Sequence, residues 1–527
     1  MHPLSLICKQ LNDKSTNNMK KHFLFFASLF LALQLFSQPA ASPAFVRDSL
    51  DTYVERALVQ WQIPGVAVGI VKDGELIVAK GYGVRELGKQ DKVDANTLFM
   101  IGSNTKAFTG TALALLEHES RCNLTDPVKK YLPKFDMKDN WVESQINLLD
   151  IVSHRIGMET FQGDFMYWTS DLTQDQVVEK FGKLQPAFSF RSKWGYCNAG
   201  YVVAGKVIES ISLKSWGDYL RERMFVPLGM ERTLAMSAEI AGAENAARAH
   251  TVAEGVLKGI PYGNIDNLAP AGSISSSIND MSRWARALLA NGQLDGKEVI
   301  PPAVIARTQE PLSIMGRRRT TNTGIKRHYA LYGMGWDLSD YAGREMVSHT
   351  GGVNGFFTSF TLVPEENLAV IVLTNTDANM FFIALQREIV DAFLGLPYQD
   401  YSRLFYENYM AGQEEEKRIV AQLRDTIATN PATALPLDRY TGRYDNDVYG
   451  WLDMKKEGNN LKLTFQHHSN LTGLLEPLGG NRFLLSFNDP VFGIKPVRFN
   501  LEEGRVKNFI LNVADFIEIT TYEFVKR

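Results

Sequence analysis

Residues 45–400 carry apolar, β-branched segments at both ends and helical patterns between them. Near the start, VAVGIVKDGELIVAKGYGV reads as a hairpin, two Val/Ile-rich runs around a Lys72-Asp73-Gly74 turn. A helical pattern, DSLDTYVERALVQWQ, precedes it and is stopped by Pro64-Gly65. Near the end, REMVSHTGG, GFFTSFTLVP and LAVIVLTNT repeat the strand signal. The last two are joined by Pro364-Glu365-Glu366-Asn367, which predicts adjacent antiparallel strands. Helical stretches fill the middle, among them residues 104–120, AGYVVAGKVIESI and INDMSRWARALLAN. If the two strand groups share one sheet, the region is an α+β domain: an antiparallel sheet flanked by helices, with a helical subdomain inserted. Gly81-Tyr82-Gly83 lacks the third glycine and the following helix of a nucleotide loop, so it reads as hairpin punctuation.

The chain has 527 residues, more than one ordinary core organises. Its character changes at 401–436, which reads as a helical linker: Glu414-Glu415-Glu416-Lys417-Arg418 begins a polar helix, and Asn430-Pro431 and Pro436 break it. Residues 437–527 are short strands and turns, the pattern of a small all-β barrel. With 45% hydrophobic and 22% charged residues the chain is a globular protein. A net charge of −3 leaves no electrostatic footprint for nucleic acid. The short run Arg317-Arg318-Arg319 reads as a solvated loop, with a substrate-facing loop as the alternative.

Residues 1–40 read as a leader and secretory signal. Lys20-Lys21 form the basic region, Phe23–Phe36 the apolar run, and SQPAASPA the small residues that follow. The run is short against the roughly 20 residues of a membrane span, although an uncleaved anchor stays open. Translation from Met19 would place the lysines at the start of the signal. Export to a periplasm or the exterior is the expectation. Cys122 and Cys197 are the only cysteines beyond this leader, too few for a disulfide scaffold and without metal-ligand spacing.

Three short motifs follow in order: Ser103-Asn104-Thr105-Lys106, Tyr196-Cys197-Asn198, and His349-Thr350-Gly351-Gly352 at a strand end. Each alone is common. Ser103 and Lys106, spaced i and i+3, can share one helix face. Ser103 becomes a nucleophile only when something accepts its proton. Lys106 can do so if burial or a second cation lowers its pKa, and Tyr196 can do so if its phenolate is stabilised. The sequence leaves the choice between them open.

In this order the motifs resemble the serine β-lactamase and penicillin-binding-protein superfamily, nearest its class C β-lactamase-like branch of D-aminopeptidases, carboxypeptidases and esterases. IPGVAVGIVKDG, LLDIVSHRIGM, APAGSISSSINDMSRWARALL and SHTGGVNGF extend the likeness over most of residues 45–395. Residues 437–527 resemble, more loosely, the lipocalin-like domain appended to some of these hydrolases. The resemblance implies catalytic roles for Ser103, Lys106 and Tyr196. It further implies substrate binding by Asn198, His349, Thr350 and Gly351, and an oxyanion hole from the backbone N–H groups of Ser103 and Gly352. It implies no metal and no cofactor. The expected partner is a small molecule or short peptide, peptidoglycan fragments included; the oligomeric state stays open.

His349 stands where true β-lactamases carry a lysine that helps receive a carboxylate. A neutral histidine offers a hydrogen bond without a fixed charge. Peptide, amide or ester substrates are therefore expected ahead of β-lactams. True β-lactamase activity and a catalytically weak peptidoglycan-binding relative are the alternatives. Cys197, where relatives carry serine, reads as a buried inert thiol. His154 reads as structural, Arg155 as a surface ion pair, and Asp280 as an N-terminal helix residue. His467-His468 have no partner motif. The β part either captures a partner or shapes the cleft.

Overall fold

The computed structural model describes residues 42–317 and 324–527; the signal-like segment and Arg318-Arg319 lie outside them. Ahead of Asp51 the described chain is one π-helical turn, Phe45–Ser49.

The two separated strand groups do meet in one antiparallel sheet. Its strands are β1 (Gly65–Lys72), β2 (Glu75–Gly83), β3 (Ser313–Arg317), β4 (Tyr329–Tyr332), β5 (Asp337–Tyr341), β6 (Arg344–Val353), β7 (Phe356–Val363) and β8 (Leu368–Thr374). They lie in the order β2-β1-β8-β7-β6-β5-β4-β3. β1 and β8 read as unbroken apolar runs because both of their faces are buried. The first hairpin turns at Asp73 and Gly74, with φ of 52° and 82°, the paired positive values of a type I′ turn. β7 and β8 close on Val363↔Leu368 across the Pro364–Glu366 turn, as the sequence predicts. β3 and β4 had no clear sequence signal.

Register assigns the faces. Gly69 of β1 sits opposite Ile371 of β8 and faces helix Ile278–Leu289; a Cβ on Gly69 would stand 2.9 Å from Ile278 Cγ2. The neighbouring row, Val68–Val372–Ser359, turns to the other face. There Ser359 Oγ donates to the Phe382 carbonyl of helix Phe381–Phe393 at 3.2 Å. Helices thus cover both faces of the sheet. The inserted helical region contains helix Thr105–His118, buried from Thr105 to Leu116 and mostly apolar there apart from Lys106 and three threonines.

A 28-residue polar helix, Tyr401–Ala428, precedes the C-terminal part. There eight antiparallel strands close into a barrel: β9 (Gly442–Asn446), β10 (Gly450–Glu457), β11 (Asn460–Phe465), β12 (Thr472–Gly479), β13 (Arg482–Phe487), β14 (Ile494–Glu502), β15 (Arg505–Leu511) and β16 (Tyr522–Lys526). Tyr444, Leu463, Phe483, Phe499 and Phe509 are buried and make its core. The α+β class with a separate closed β-barrel is the architecture observed. Among the described residues no helix is long and apolar enough to cross a membrane.

Candidate active site

Ser103 lies in the 3₁₀ turn Gly102–Asn104, immediately ahead of the buried helix that carries Lys106 in its first turn. The i,i+3 spacing therefore works across a turn-to-helix junction, not along one helix face. Lys106 Nζ stands 3.1 Å from Ser103 Oγ, 2.6 Å from Asn198 Oδ1 and 2.8 Å from the Ala271 carbonyl. Lys106 is fully buried, and desolvation pulls its pKa down to about 7 against the opposing pull of Asp164. An amine with three polar partners and no adjacent fixed carboxylate contact is placed to exchange a proton with Ser103.

Tyr196 lies over this amine, with Lys106 Nζ 4.6 Å from its ring centroid. Burial drives the phenol well above its ordinary pKa, and hydrogen bonding to Ser103 only partly offsets that. Its ring packs 4.4 Å from His154. His154 is buried with φ of 60°, and its Nδ1 accepts from the Cys197 N–H at 3.1 Å, so it supports the Tyr196 segment from behind. Cys197 itself is buried, and desolvation pushes its thiol up to about 12, the inert state expected of it.

The third motif occupies the end of β6. Pairing with β5 stops at Asp337↔Ser348, so His349–Val353 run on with β7 alone and leave the other edge toward the cleft. His349 is buried. Nδ1–H donates to the Thr350 carbonyl at 2.6 Å, and Nε2 accepts from the Tyr332 hydroxyl at 3.0 Å. Desolvation first, then the nearby Lys106, lower its pKa to about 3, so it is neutral at physiological pH. Thr350 is exposed and lines the cavity.

The glycines here have a steric cause. A Cβ on Gly351 would stand 1.8 Å from the Ile101 carbonyl, and one on Gly102 (φ 53°) would stand 2.7 Å from the Gly352 nitrogen. Only bare backbone lets the Ser103 turn and the end of β6 meet. Gly351 is therefore packed behind the cavity, while Ser103, Tyr196, Asn198, His349, Thr350 and Gly352 line it. The cavity holds about 320 Å³.

Several contributors carried no sequence signal. Asn198 Nδ2 donates to Asp164 Oδ2 at 2.5 Å, and Tyr167 donates to the same carboxyl group. Burial pushes the Asp164 acid well up. Trp168, Phe357 and Phe516 form an apolar side of the cavity. Asp164 sits in FQGDFMYW, a stretch without a motif.

Other expected residues fall outside the cavity. Arg155 forms the expected ion pair, but with a buried partner: its Nε donates at 2.7 Å to Asp150, a fully buried carboxylate that also takes Arg191. Asp280 accepts from the Arg232 N–H and the Thr233 hydroxyl. His467 pairs with Asp171 at 2.9 Å, and His468 stacks on Phe165. Among the described residues no group of three His, Cys, Asp or Glu side chains is placed to hold a metal ion.

Comparison with known proteins supplies the family and supports the fold. The Beta-lactamase family model matches residues 50–393, and a domain of unknown function (DUF3471) matches residues 428–524. An unguisins hydrolase of Aspergillus campestris is 30% identical over 424 residues, 75% of this chain and 75% of that protein. Protein flp of Staphylococcus aureus is 25% identical over 347 residues, 63% of this chain and 64% of that protein. In fold, an octameric penicillin-binding protein homologue from Pyrococcus abyssi aligns with a TM-score of 0.58 at 19% identity, covering 90% of this chain and 99% of that one. A D-stereospecific amidohydrolase from Streptomyces aligns at 0.52 and 21% identity, covering 66% of this chain and 99% of that one. Sequence match, sheet order and cleft together mean that the chain belongs to the Beta-lactamase family of serine hydrolases.

Proposed function

We propose that the protein is an exported hydrolase that forms and hydrolyses an acyl-enzyme at Ser103, acting on peptide, amide or ester substrates. The observation that carries the reading is the buried Lys106 amine 3.1 Å from Ser103 Oγ, its pKa held near 7 by desolvation. In acylation the Ser103 proton passes to neutral Lys106 while Oγ bonds to the substrate carbonyl carbon. The oxyanion takes hydrogen bonds from the backbone N–H groups of Ser103 and Gly352, preorganised donors of the kind that stabilise such charge. The carbonyl then re-forms, and the C–N or C–O bond breaks. The leaving group takes a proton from Tyr196, which recovers it from the Lys106 ammonium, so the proton lost by Ser103 leaves with the amine or alcohol. Water then enters and gives a proton to neutral Lys106 as its oxygen bonds to the acyl carbon; Lys106 returns that proton to Ser103 Oγ as the ester bond breaks and the acid leaves.

Lys106 is the better acceptor in the free protein, because burial favours its neutral form and disfavours a Tyr196 phenolate. Asn198 positions Lys106 and offers its amide to the substrate. His349, neutral and engaged at both nitrogens, brings no fixed charge for a carboxylate, which favours uncharged acyl groups over β-lactams. The relative named as a hydrolase of unguisins supports hydrolysis as the reaction class. Export rests on Lys20-Lys21 and the apolar run Phe23–Phe36. The test is a substrate panel on the mature protein: D- and L-amino-acid amides, short esters, muropeptides and nitrocefin, each beside Ser103→Ala. Turnover of amides or esters that the variant lacks supports the reading; equal turnover by the variant sinks it.

A further inference from the structure

The barrel segment between β15 and β16, residues 512–521, reaches the catalytic cavity. Phe516 lines it together with Ser103. Its ring packs edge-on to Trp168 at 5.7 Å and to Phe357 at 6.0 Å. A Cβ placed on Gly352 would stand 3.3 Å from Phe516 Cε2, so the ring lies beside the backbone of the oxyanion site.

The segment is anchored from both sides. Glu518 is buried, and its carboxyl group accepts the Gly163 N–H at 2.8 Å, the Phe165 N–H at 3.0 Å and the Tyr449 hydroxyl at 2.7 Å. Phe165 in turn enters the barrel's end, stacked between His468 at 4.8 Å and Tyr522 at 5.5 Å. Asp164, between the two clamped amides, holds Asn198, and Asn198 holds Lys106. The barrel is thus tied to the short helix Asp164–Tyr167 while its own loop walls the cleft.

We propose that this loop is a specificity element, in which Phe516, with Trp168 and Phe357, makes an apolar wall that admits compact, uncharged acyl groups and refuses long ones. Three facing rings offer no partner for a charged or strongly polar substituent, which would lose its water there. The cavity, about 320 Å³, is near the lower end of the ligand-pocket range, and the Phe516 ring is one of the side chains that bound it. The barrel core is filled by its own aromatic side chains, so the barrel's contribution lies in this loop. The inference rests on the acyl-enzyme reading above.

The experiment uses the full chain with p-nitrophenyl acetate, butyrate and octanoate, whose common leaving group isolates the acyl side. The readout is the octanoate-to-acetate ratio of kcat/KM. Phe516→Ala should raise it about tenfold or more, the scale on which pocket size discriminates apolar chains, and Phe516→Leu should raise it less. Phe516→Leu carries the test should the alanine variant fold poorly, with circular dichroism as the fold check. Ratios within twofold of wild type in both folded variants overturn the wall. Absence of Ser103-dependent ester turnover in wild type overturns the acyl-enzyme reading, and the wall with it; unchanged ratios beside normal Ser103-dependent turnover overturn the wall alone.

Discussion

Lys106 and Asn198 are joined by a 2.6 Å contact between a buried amine and an amide oxygen, and that contact aims Nζ at Ser103. The amide turns its other end to Asp164, so the lysine is held by a hydrogen-bonded chain that contains no direct ion pair. A direct carboxylate contact would keep the amine charged; the relay positions it while burial discharges it.

The pH dependence of turnover follows from that arrangement. With Lys106 as acceptor, log kcat/KM rises with unit slope at low pH and levels off above about 7. His349, lowered to about 3, adds no limb between pH 4 and 8. A rate profile on a stable ester substrate checks this. A limb above pH 9 instead assigns the proton to Tyr196.

Stability carries the same signature with a definite sign. Lys106 binds its proton less tightly folded than unfolded, so between pH 7 and about 10.5 the unfolded state holds more protons and folding gains with rising pH. Relative to Lys106→Met, the wild type should gain on the order of a few kcal/mol across that window. Denaturant titrations of both proteins at pH 7 and pH 10 measure it; parallel curves exclude a depressed Lys106.

Asp164 acts through Asn198 and is a positioning residue. Asp164→Asn should lower kcat on the order of 10- to 100-fold, the scale of a small misplacement of reacting groups. It should also move the acid limb to lower pH, because where Asp164 is ionised its charge supports the charged form of Lys106. A purely structural role lowers the amount of folded protein and leaves the limb where it was.

Gly102→Ala places a methyl group 2.7 Å from the Gly352 nitrogen at a φ of 53°. Catalysis should fall on the order of 10²-fold or more as the oxyanion donors separate. Gly343→Ala is the matched control: its φ is 81°, but a Cβ there meets nothing within 4 Å. It should cost about 1 kcal/mol of stability and leave kcat/KM within twofold, as thermal melts and ester kinetics together will show.

Much of this molecule was legible in the sequence. The Val/Ile runs of β1 and β8 announce strands buried on both faces, and Asp73-Gly74 announces its turn, because both are local demands on the backbone. Ser103, Lys106, Tyr196, Asn198 and His349 could be picked out as candidates because each belongs to a short motif of fixed spacing, and the fold brings them together. The ion pair of Arg155 was legible, but the burial of its partner, Asp150, was not, because it comes from packing that no local pattern encodes. Asp164 and Phe516 were invisible for the same reason. Asp164 becomes a site residue only when the helix Asp164–Tyr167 faces Asn198. Phe516 becomes one only when the barrel docks and brings it against Trp168 and Phe357, both far from it in sequence. β3 lies at the sheet edge, and β4 spans only the four residues Tyr329–Tyr332, so neither is long enough to carry a clear periodic signal.

The central claim is that Ser103 becomes covalently acylated, and intact-mass spectrometry tests it most directly. Protein treated with a fluorophosphonate, or trapped with a slowly released ester, should gain the mass of one phosphonyl or acyl group. Peptide mapping should place that mass on Ser103, with none on Ser103→Ala and much slower labelling of Lys106→Met. A stoichiometric adduct on any other residue, or equal labelling of Ser103→Ala, contradicts the account.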